Sequence, residues 1–454
     1  MDITKVQRVY FLGIGGIGMS ALAHYFLHNG CVVYGYDLTP SSITDILSEQ
    51  GVAIHFEEDV TQIPPQVDMV IHTPAVSTQH AEYRYFEAHN IPIYKRAQVL
   101  GLISKTKSTI AVAGTHGKTS TTALISHILY PEKGIMAFIG GIAKNLNSNF
   151  VIDDHYETIV AEADEYDRSF LALHPSTAII TSMDADHLDI YGGKEVLEDS
   201  FQLFANQIVP HGNLIIHEKI AEQINHSQKI TYGFNETADY YATDIQLYPN
   251  KTTFTLHNNG EVISGIELGV PGYYNLLNAL AAITAVKAEY QGRGEALDMN
   301  WLLSKLSSFM GVKRRFDYQL FREDIVYIDD YAHHPEEIRS FLQAVKAIFP
   351  DKKITAIFQP HLFSRTRDFA NEFATTLAIA DEVILLDIYP ARELPIEGIT
   401  SSWLLSLINK EEKRLLTKES LFPYLQTHKP EVLVTIGAGD IDRLVQEITK
   451  QLTL

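Results

Sequence analysis

Twice within the first 120 residues an apolar stretch runs into a glycine turn and out into a helical stretch. The first is "RVYFLGIGGIGMSALA", residues 8–23, where Gly13, Gly15 and Gly18 form G-x-G-x-x-G. The second is "TIAVAGTHGKTSTTALIS", residues 109–126, where Gly114 and Gly117 precede Lys118 and Thr119. Strand–glycine–helix turns of this kind argue for parallel sheets covered by helices. Glycines let the backbone approach a phosphate, and the helix N-terminus that follows favours its charge.

The rhythm continues along the chain. Residues 7–100 read as strands at "RVYFLGI", "CVVYGYD", "VAIHF" and "VDMVIHTPAV" with helices between them. A second block opens at "TIAVAG" and adds strands at "ETIVAEA" and "STAIITSM". Residues about 228–268, rich in Thr and Asn with alternating apolar positions, read as antiparallel strands. The helix "NLLNALAAITAVKAEY" follows Pro271-Gly272. A third block begins near "GVKRRFDYQ" with strands "IVYIDDYA", "KITAIFQP", "EVILLDIYP" and "EVLVTIGAGD". The expected domains are residues 1–105, 106–312 and 313–454. A chain of 454 residues is long enough for three.

Charge and cysteine content narrow the function classes. With 36 Lys+Arg against 56 Asp+Glu the net charge is −20, which disfavours general binding to nucleic acid or an anionic membrane. Anionic ligands must therefore be held by local devices. The single Cys31 leaves no intramolecular disulfide and no cysteine zinc site, which suits a reducing, cytoplasmic setting. The apolar run "VYFLGIGGIGMSALAHYFL" imitates a membrane segment, but four glycines, Ser20 and His24 interrupt it.

The first loop admits several readings. With Asp37 at the end of the next strand it matches the dinucleotide fingerprint, the pattern of an NAD-dependent oxidoreductase. It also fits another nucleotide diphosphate, or a tight turn with no ligand. The second loop departs from G-x-x-x-x-G-K-[ST], because Val112 stands where the first glycine belongs. Lys118 is still placed to reach phosphates and Thr119 to offer a hydroxyl to Mg²⁺. Such a site needs a carboxylate at a nearby strand end. "ETIVAEADEYD" supplies Glu162, with Asp164 and Glu165 close by, and "MDADHLD" supplies Asp184, Asp186, His187 and Asp189. Asn275 and Asn278 share a helix face, as caps or as ligands of a base. Arg315, in "GVKRRFD", and Asp330, His333 and His334, in "IDDYAHHPEE", open the third block.

Taken together these stretches resemble the Mur ligases, the ATP-dependent amide-bond-forming enzymes of peptidoglycan precursor synthesis. "GIGGIGMSALA", "GTHGKTSTT", "EADE", "DADHLD", "YYNLLNALAA", "GVKRRFD", "DDYAHHPEE", "FQPHLFSRTRDF", "DIYPARELPIEG" and "GAGDI" stand in the family's order from Gly13 to about Ile441. The resemblance implies a Rossmann-like N-terminal domain, a central P-loop-type ATPase domain and a Rossmann-like C-terminal domain. It implies ligation of L-alanine to the lactyl carboxylate of UDP-N-acetylmuramate through an acyl phosphate, with the family's tripeptide-recycling reaction as the alternative. ATP would sit on Gly114, Thr115, His116, Gly117, Lys118, Thr119 and Ser120, with Asn275, Asn278, Arg315 and Asp330. Mg²⁺ would take Thr119, Glu162 and His187. Catalysis would rest on Lys118, Glu162, His187 and Arg315. Gly13, Gly15, Gly16, Gly18 and Asp37 would bind the UDP sugar, and Tyr331, His361, Arg365 and Arg367 the amino acid. A cytoplasmic monomer or weak dimer, with closure of the domains on ATP, is the implied working form. The chain departs from the family at Leu362, where many relatives carry Arg. "DSFQLFANQI" lacks the modified lysine of later-acting members, which agrees with an alanine-adding enzyme.

Overall fold

A computed structural model describes residues 3–184, 191, 193–391 and 393–453. It contains three sheets, of five, ten and six strands, each built on one of the three αβ blocks, in a three-domain α/β fold.

The first sheet has the order β3-β2-β1-β4-β5. Its strands are β1 (Arg8–Leu12), β2 (Val32–Tyr36), β3 (Ala53–His55), β4 (Met69–His72) and β5 (Ile93–Lys95), all parallel. The chain first builds to one side of β1 and then to the other. The Gly13–Gly18 turn therefore follows the strand at which the order reverses, where open α/β sheets bind ligands. The three-residue β5 is not among the strands expected from the sequence.

The second sheet runs β15-β14-β13-β12-β11-β10-β6-β9-β7-β8. Its strands are β6 (Ser108–Ala113), β7 (Ile135–Ala143), β8 (Ser148–Ile152), β9 (Thr158–Glu162), β10 (Thr177–Ile180), β11 (Asn213–His217), β12 (Lys229–Gly233), β13 (Tyr240–Tyr248), β14 (Lys251–Asn258) and β15 (Glu261–Leu268). Here β6 lies between β9 and β10 and pairs parallel with both, so the Gly114–Lys118 turn also follows a reversal strand. The expectation of antiparallel strands over about 228–268 fails at its start. β12 pairs parallel with β11 and with β13, because the segment after β11 crosses over and extends the parallel sheet. Beyond it, two-residue connections join β13 to β14 and β14 to β15. The second is Asn259-Gly260 with φ +47° and +87°, the left-handed pair that a tight hairpin needs.

The third sheet runs β16-β17-β21-β18-β19-β20. It comprises β16 (Asp317–Phe321), β17 (Val326–Asp330), β18 (Ile354–Phe358), β19 (Glu382–Leu385), β20 (Lys413–Leu415) and β21 (Val432–Ile436). Only β16 is antiparallel to its neighbour. One face buries Phe341, Leu342 and Val345, and the other Leu421, Leu444 and Ile448.

Two compact units emerge from the packing: Met1–Thr243 with Thr255–Ser264 and Leu277–Phe309, and Asp244–Phe254 with Gly265–Leu276 and Met310–Leu454. The first unit holds the first sheet and most of the second around one continuous core, from Phe11 and Ile71 through Phe138 and Ile159 to Phe201. The helix Ile17–His28 joins them. Tyr25 meets Phe138 at 6.3 Å, and Asn149 Nδ2 donates to the Ile17 carbonyl at 2.6 Å. A helix covered on several sides must be apolar all round, which explains why this stretch imitates a membrane segment. Among the described residues no helix is long and apolar enough to cross a membrane.

Candidate active site

Val112 is not part of the phosphate loop. It is fully buried in β6, opposite Glu162 of β9, and the turn begins only at Gly114. Gly114 (φ +133°) and Gly117 (φ +81°) adopt backbone angles that disfavour other residues. A Cβ on Gly114 would lie 2.0 Å from Thr181 Oγ1, and one on Gly117 would lie 2.5 Å from Asn278 Oδ1. The loop is thus a cradle that a side chain would fill. Residues after β10 hold it in shape. Thr115 N donates to the Ser182 carbonyl at 3.2 Å, and His116 N to Ser182 Oγ at 2.8 Å. The helix Lys118–Leu129 starts at once, so Thr119 and Ser120 occupy its first turn. Exposed N–H groups and the helix dipole there favour an anion.

Lys118 is 14% exposed and surrounded by acid. Its Nζ donates to the Gly114 carbonyl at 2.6 Å and lies 2.7 Å from Glu165 Oε2. Burial alone would lower its pKa, but Glu165, then Asp164 and Glu162, hold it above the usual lysine range. Glu162 ends β9 and accepts from Gly140 N at 2.9 Å. A Cβ on Gly140 would lie 2.2 Å from that carboxylate, so glycine is required there too. The Thr119 hydroxyl and the Glu162 carboxylate are hard oxygen donors of the kind Mg²⁺ prefers, with phosphate and water completing its shell. His187, with Asp186 and Asp189, lies outside the described residues.

The first loop is equally tight. A Cβ on Gly13 (φ +87°) would lie 2.5 Å from Thr73 Cγ2. Gly15 N donates to Asp37 Oδ2 at 2.7 Å, so Asp37 braces the loop. Gly16 caps the following helix. Gly18 sits against Arg96, whose guanidinium also reaches Asp164 at 3.3 Å. Arg96 therefore links the first glycine loop to the acidic segment behind Lys118. Its sequence neighbours give no sign of this.

In the second unit, Asn275 Nδ2 donates to the Pro271 carbonyl at 2.7 Å. The side chain thus bonds back to the carbonyl four residues before it, in the first turn of the helix Tyr273–Gly292. Asn278, in the first unit, instead faces the phosphate loop at Gly117. Arg315 lies 3.6 Å from Glu337, with its guanidinium 5.1 Å from the Tyr331 ring centre. Arg314 takes Asp329 at 3.1 Å and the Gly437 carbonyl at 2.6 Å. Asp330 accepts from Phe316 N at 2.7 Å and Ala332 N at 2.8 Å. Burial pushes its carboxyl up to about 7, against the pull of Arg315 and of those two amides. His333 packs edge-on to Tyr331 and to His361, and His361 stacks on Tyr389 at 5.8 Å. His334 is absorbed structurally, as the cap of the helix Pro335–Ile348. Arg365 lies on the short helix Phe363–Asp368, preceded by Leu362 at φ +70°. Arg367 is exposed and paired with its neighbour Asp368 at 2.7 Å.

Comparisons with known proteins agree across the length of the chain. Residues 8–108 match the Mur ligase family catalytic domain, 112–286 the Mur ligase middle domain and 314–438 the Mur ligase glutamate ligase domain. The UDP-N-acetylmuramate–L-alanine ligase of Flavobacterium psychrophilum is 47% identical over 100% of this chain and 99% of its own. That of Flavobacterium johnsoniae is 45% identical over the same shares. The crystal structure of the Thermotoga maritima UDP-N-acetylmuramate–alanine ligase superposes with a TM-score of 0.82 at 30% identity, covering 98% of this chain and 99% of that one. A murein peptide ligase from Psychrobacter arcticus shares the fold at a TM-score of 0.72 and 23% identity, with 98% of each chain covered. The chain belongs to the Mur ligase family.

Proposed function

We propose that this protein ligates L-alanine to the lactyl carboxylate of UDP-N-acetylmuramate in an ATP-dependent step of peptidoglycan precursor synthesis, in the cytoplasm. The observation that carries the reading is the cradle of Gly114 and Gly117, with no room for a Cβ, closed by the partly buried Lys118 at a helix N-terminus. The full-length relatives named for this reaction supply the substrates, and an ADP complex of a MurF ligase from Thermotoga maritima (15% identical) supports a nucleotide in this fold.

A carboxylate lacks a leaving group, so amide formation in water needs activation. Phosphoryl transfer from ATP to the lactyl carboxylate gives an acyl phosphate. The neutral amine of alanine attacks it, and phosphate departs from the tetrahedral intermediate. Backbone N–H groups of residues 117–120, at the start of the helix, take the phosphates, and Lys118 offsets the charge that builds when two anions meet. Thr119, Glu162 and His187 would hold Mg²⁺, which adds positive charge at the same place. Asn275, Asn278, Arg315 and Asp330 attend the nucleotide. Gly13, Gly15, Gly16, Gly18 and Asp37 hold the UDP sugar in place of a nicotinamide cofactor. Tyr331, His361 and Arg365, with Arg367 after a rotamer change, receive the amino acid. The proposed domains are residues 1–105, 106–312 and 313–454.

Phosphate release tests this function. It should require UDP-N-acetylmuramate, L-alanine and Mg-ATP together. Release with the tripeptide but not with L-alanine would assign the recycling reaction instead.

A further inference from the structure

The acidic segment after β9 sends Asp164 and Glu165 to different partners. Asp164 takes Arg96 at 3.3 Å and the Tyr166 amide at 3.1 Å. Glu165, 1% exposed, places its oxygens 2.9 and 2.7 Å from Lys118 Nζ. The backbone that aims it is unusual. Asp167 and Arg168 both adopt left-handed angles (φ +52° and +55°), two successive positions that non-glycine residues avoid. The turn is closed by Arg168 N donating to the Glu165 carbonyl at 2.9 Å. The buried Tyr191 hydroxyl donates to the same carbonyl at 2.6 Å. Strain of this kind persists where the surroundings over-determine it, and it concentrates at functional sites.

We infer that Glu165 is a positioning residue for the ligation, its buried carboxylate gripping the Lys118 ammonium so that the charge is aimed at the phosphate cradle. The inference rests on the proposed role of Lys118 at the phosphates. With the Gly114 carbonyl at 2.6 Å and the Thr115 carbonyl at 3.5 Å as its other acceptors, the ammonium is held on several sides, and a flexible four-carbon side chain becomes a directed charge. Glu165 touches no substrate and acts on turnover only through Lys118.

The test compares the parent enzyme, Glu165→Gln, Glu165→Asp, Lys118→Ala and Lys118→Ala/Glu165→Gln. Each is checked for folding by thermal melting, then assayed for phosphate release and for ADP binding by calorimetry. Glu165→Gln should lower kcat about tenfold or more while leaving KM for UDP-N-acetylmuramate within about twofold, because only the phosphate end is disturbed. Glu165→Asp, which keeps the charge, should recover part of that loss. ADP affinity should change about threefold or more between parent and Glu165→Gln. It should not change between Lys118→Ala and the double variant, since a residue acting through Lys118 has nothing to act on there. A kcat within twofold of the parent, or an equal change of ADP affinity in both backgrounds, would overturn the inference. Should Glu165→Gln fail to fold, Glu165→Asp and its double with Lys118→Ala take its place. For Glu165→Asp the loss of kcat should be smaller but still above twofold, and its change of ADP affinity should vanish in the Lys118→Ala background; a kcat within twofold of the parent, or an equal change in both backgrounds, would overturn the inference. Normal turnover by Lys118→Ala would instead sink the phosphate role of Lys118, a separate failure.

Discussion

Lys118 and Asp330 show how burial sets the chemistry of single residues here. Lys118 stays charged because three carboxylates outweigh its burial, so it is a fixed cation on an otherwise acidic chain. Lys118→Ala should lower kcat by about a hundredfold or more, by analogy with the loss of one preorganised donor elsewhere. The thermal transition should still report a folded protein. Asp330 is the reverse case, with its carboxyl pushed up to about 7 from 3.8. Between about pH 4 and 7 the folded chain holds this proton and the unfolded chain does not. Its stabilising contribution is therefore full below about pH 4 and is lost as pH rises through 7. Asn cannot titrate. The stability of the parent relative to Asp330→Asn should thus fall between pH 4 and 8 by on the order of 4 kcal/mol, read from unfolding at both pH values. A pH-independent difference would contradict the burial argument. Both residues are legible as site candidates because they stand in ordered motifs. Arg96 is not, because its partner Asp164 is 68 positions away and lies on a different sheet's strand end.

At the scale of elements, local pattern and tertiary context diverge in places that can be named. Parallel strands such as β1, β6 and β21 are visible as continuous apolar runs, since both faces are covered. The parallel pairing of β12 is not, because its alternating pattern also fits an edge hairpin. Gly140 gives no signal inside β7, where nothing in "IMAFIGGIA" announces that a carboxylate from β9 fills the space of a side chain. Gly140→Ala must displace Glu162, since the added Cβ would lie 2.2 Å from it. The variant should fold and lose activity about tenfold or more, with raised Mg²⁺ dependence of the rate. Unchanged activity at limiting Mg²⁺ would remove Glu162 from the metal. His334 stands in the polar stretch "IDDYAHHPEE", and the structure uses it to accept from Glu336 N at 3.4 Å, at the start of a helix. His334→Ala should cost about 1 kcal/mol of stability, as other lost N-caps do.

Across the whole molecule the three-block rhythm translates into three sheets, and both glycine loops fall where strand order reverses. The common core of the first two sheets is not legible in the sequence. It depends on Tyr25, Phe138, Phe150 and their neighbours meeting across long sequence separations. The net charge of −20 is spread over a molecule whose proposed substrates are themselves anionic. That places the burden of binding on the two cradles and on a few placed cations such as Lys118. What the assembled chain makes from those substrates is therefore the decisive observation. It is obtained by incubating the protein with Mg-ATP, UDP-N-acetylmuramate and a panel of L-alanine, glycine, L-serine and the murein tripeptide, and weighing the products by mass spectrometry. One new species is expected, with the mass of UDP-N-acetylmuramate plus L-alanine less one water, formed in step with ADP and phosphate. A tripeptide adduct in its place, or phosphate release with no adduct, would contradict the proposed ligation.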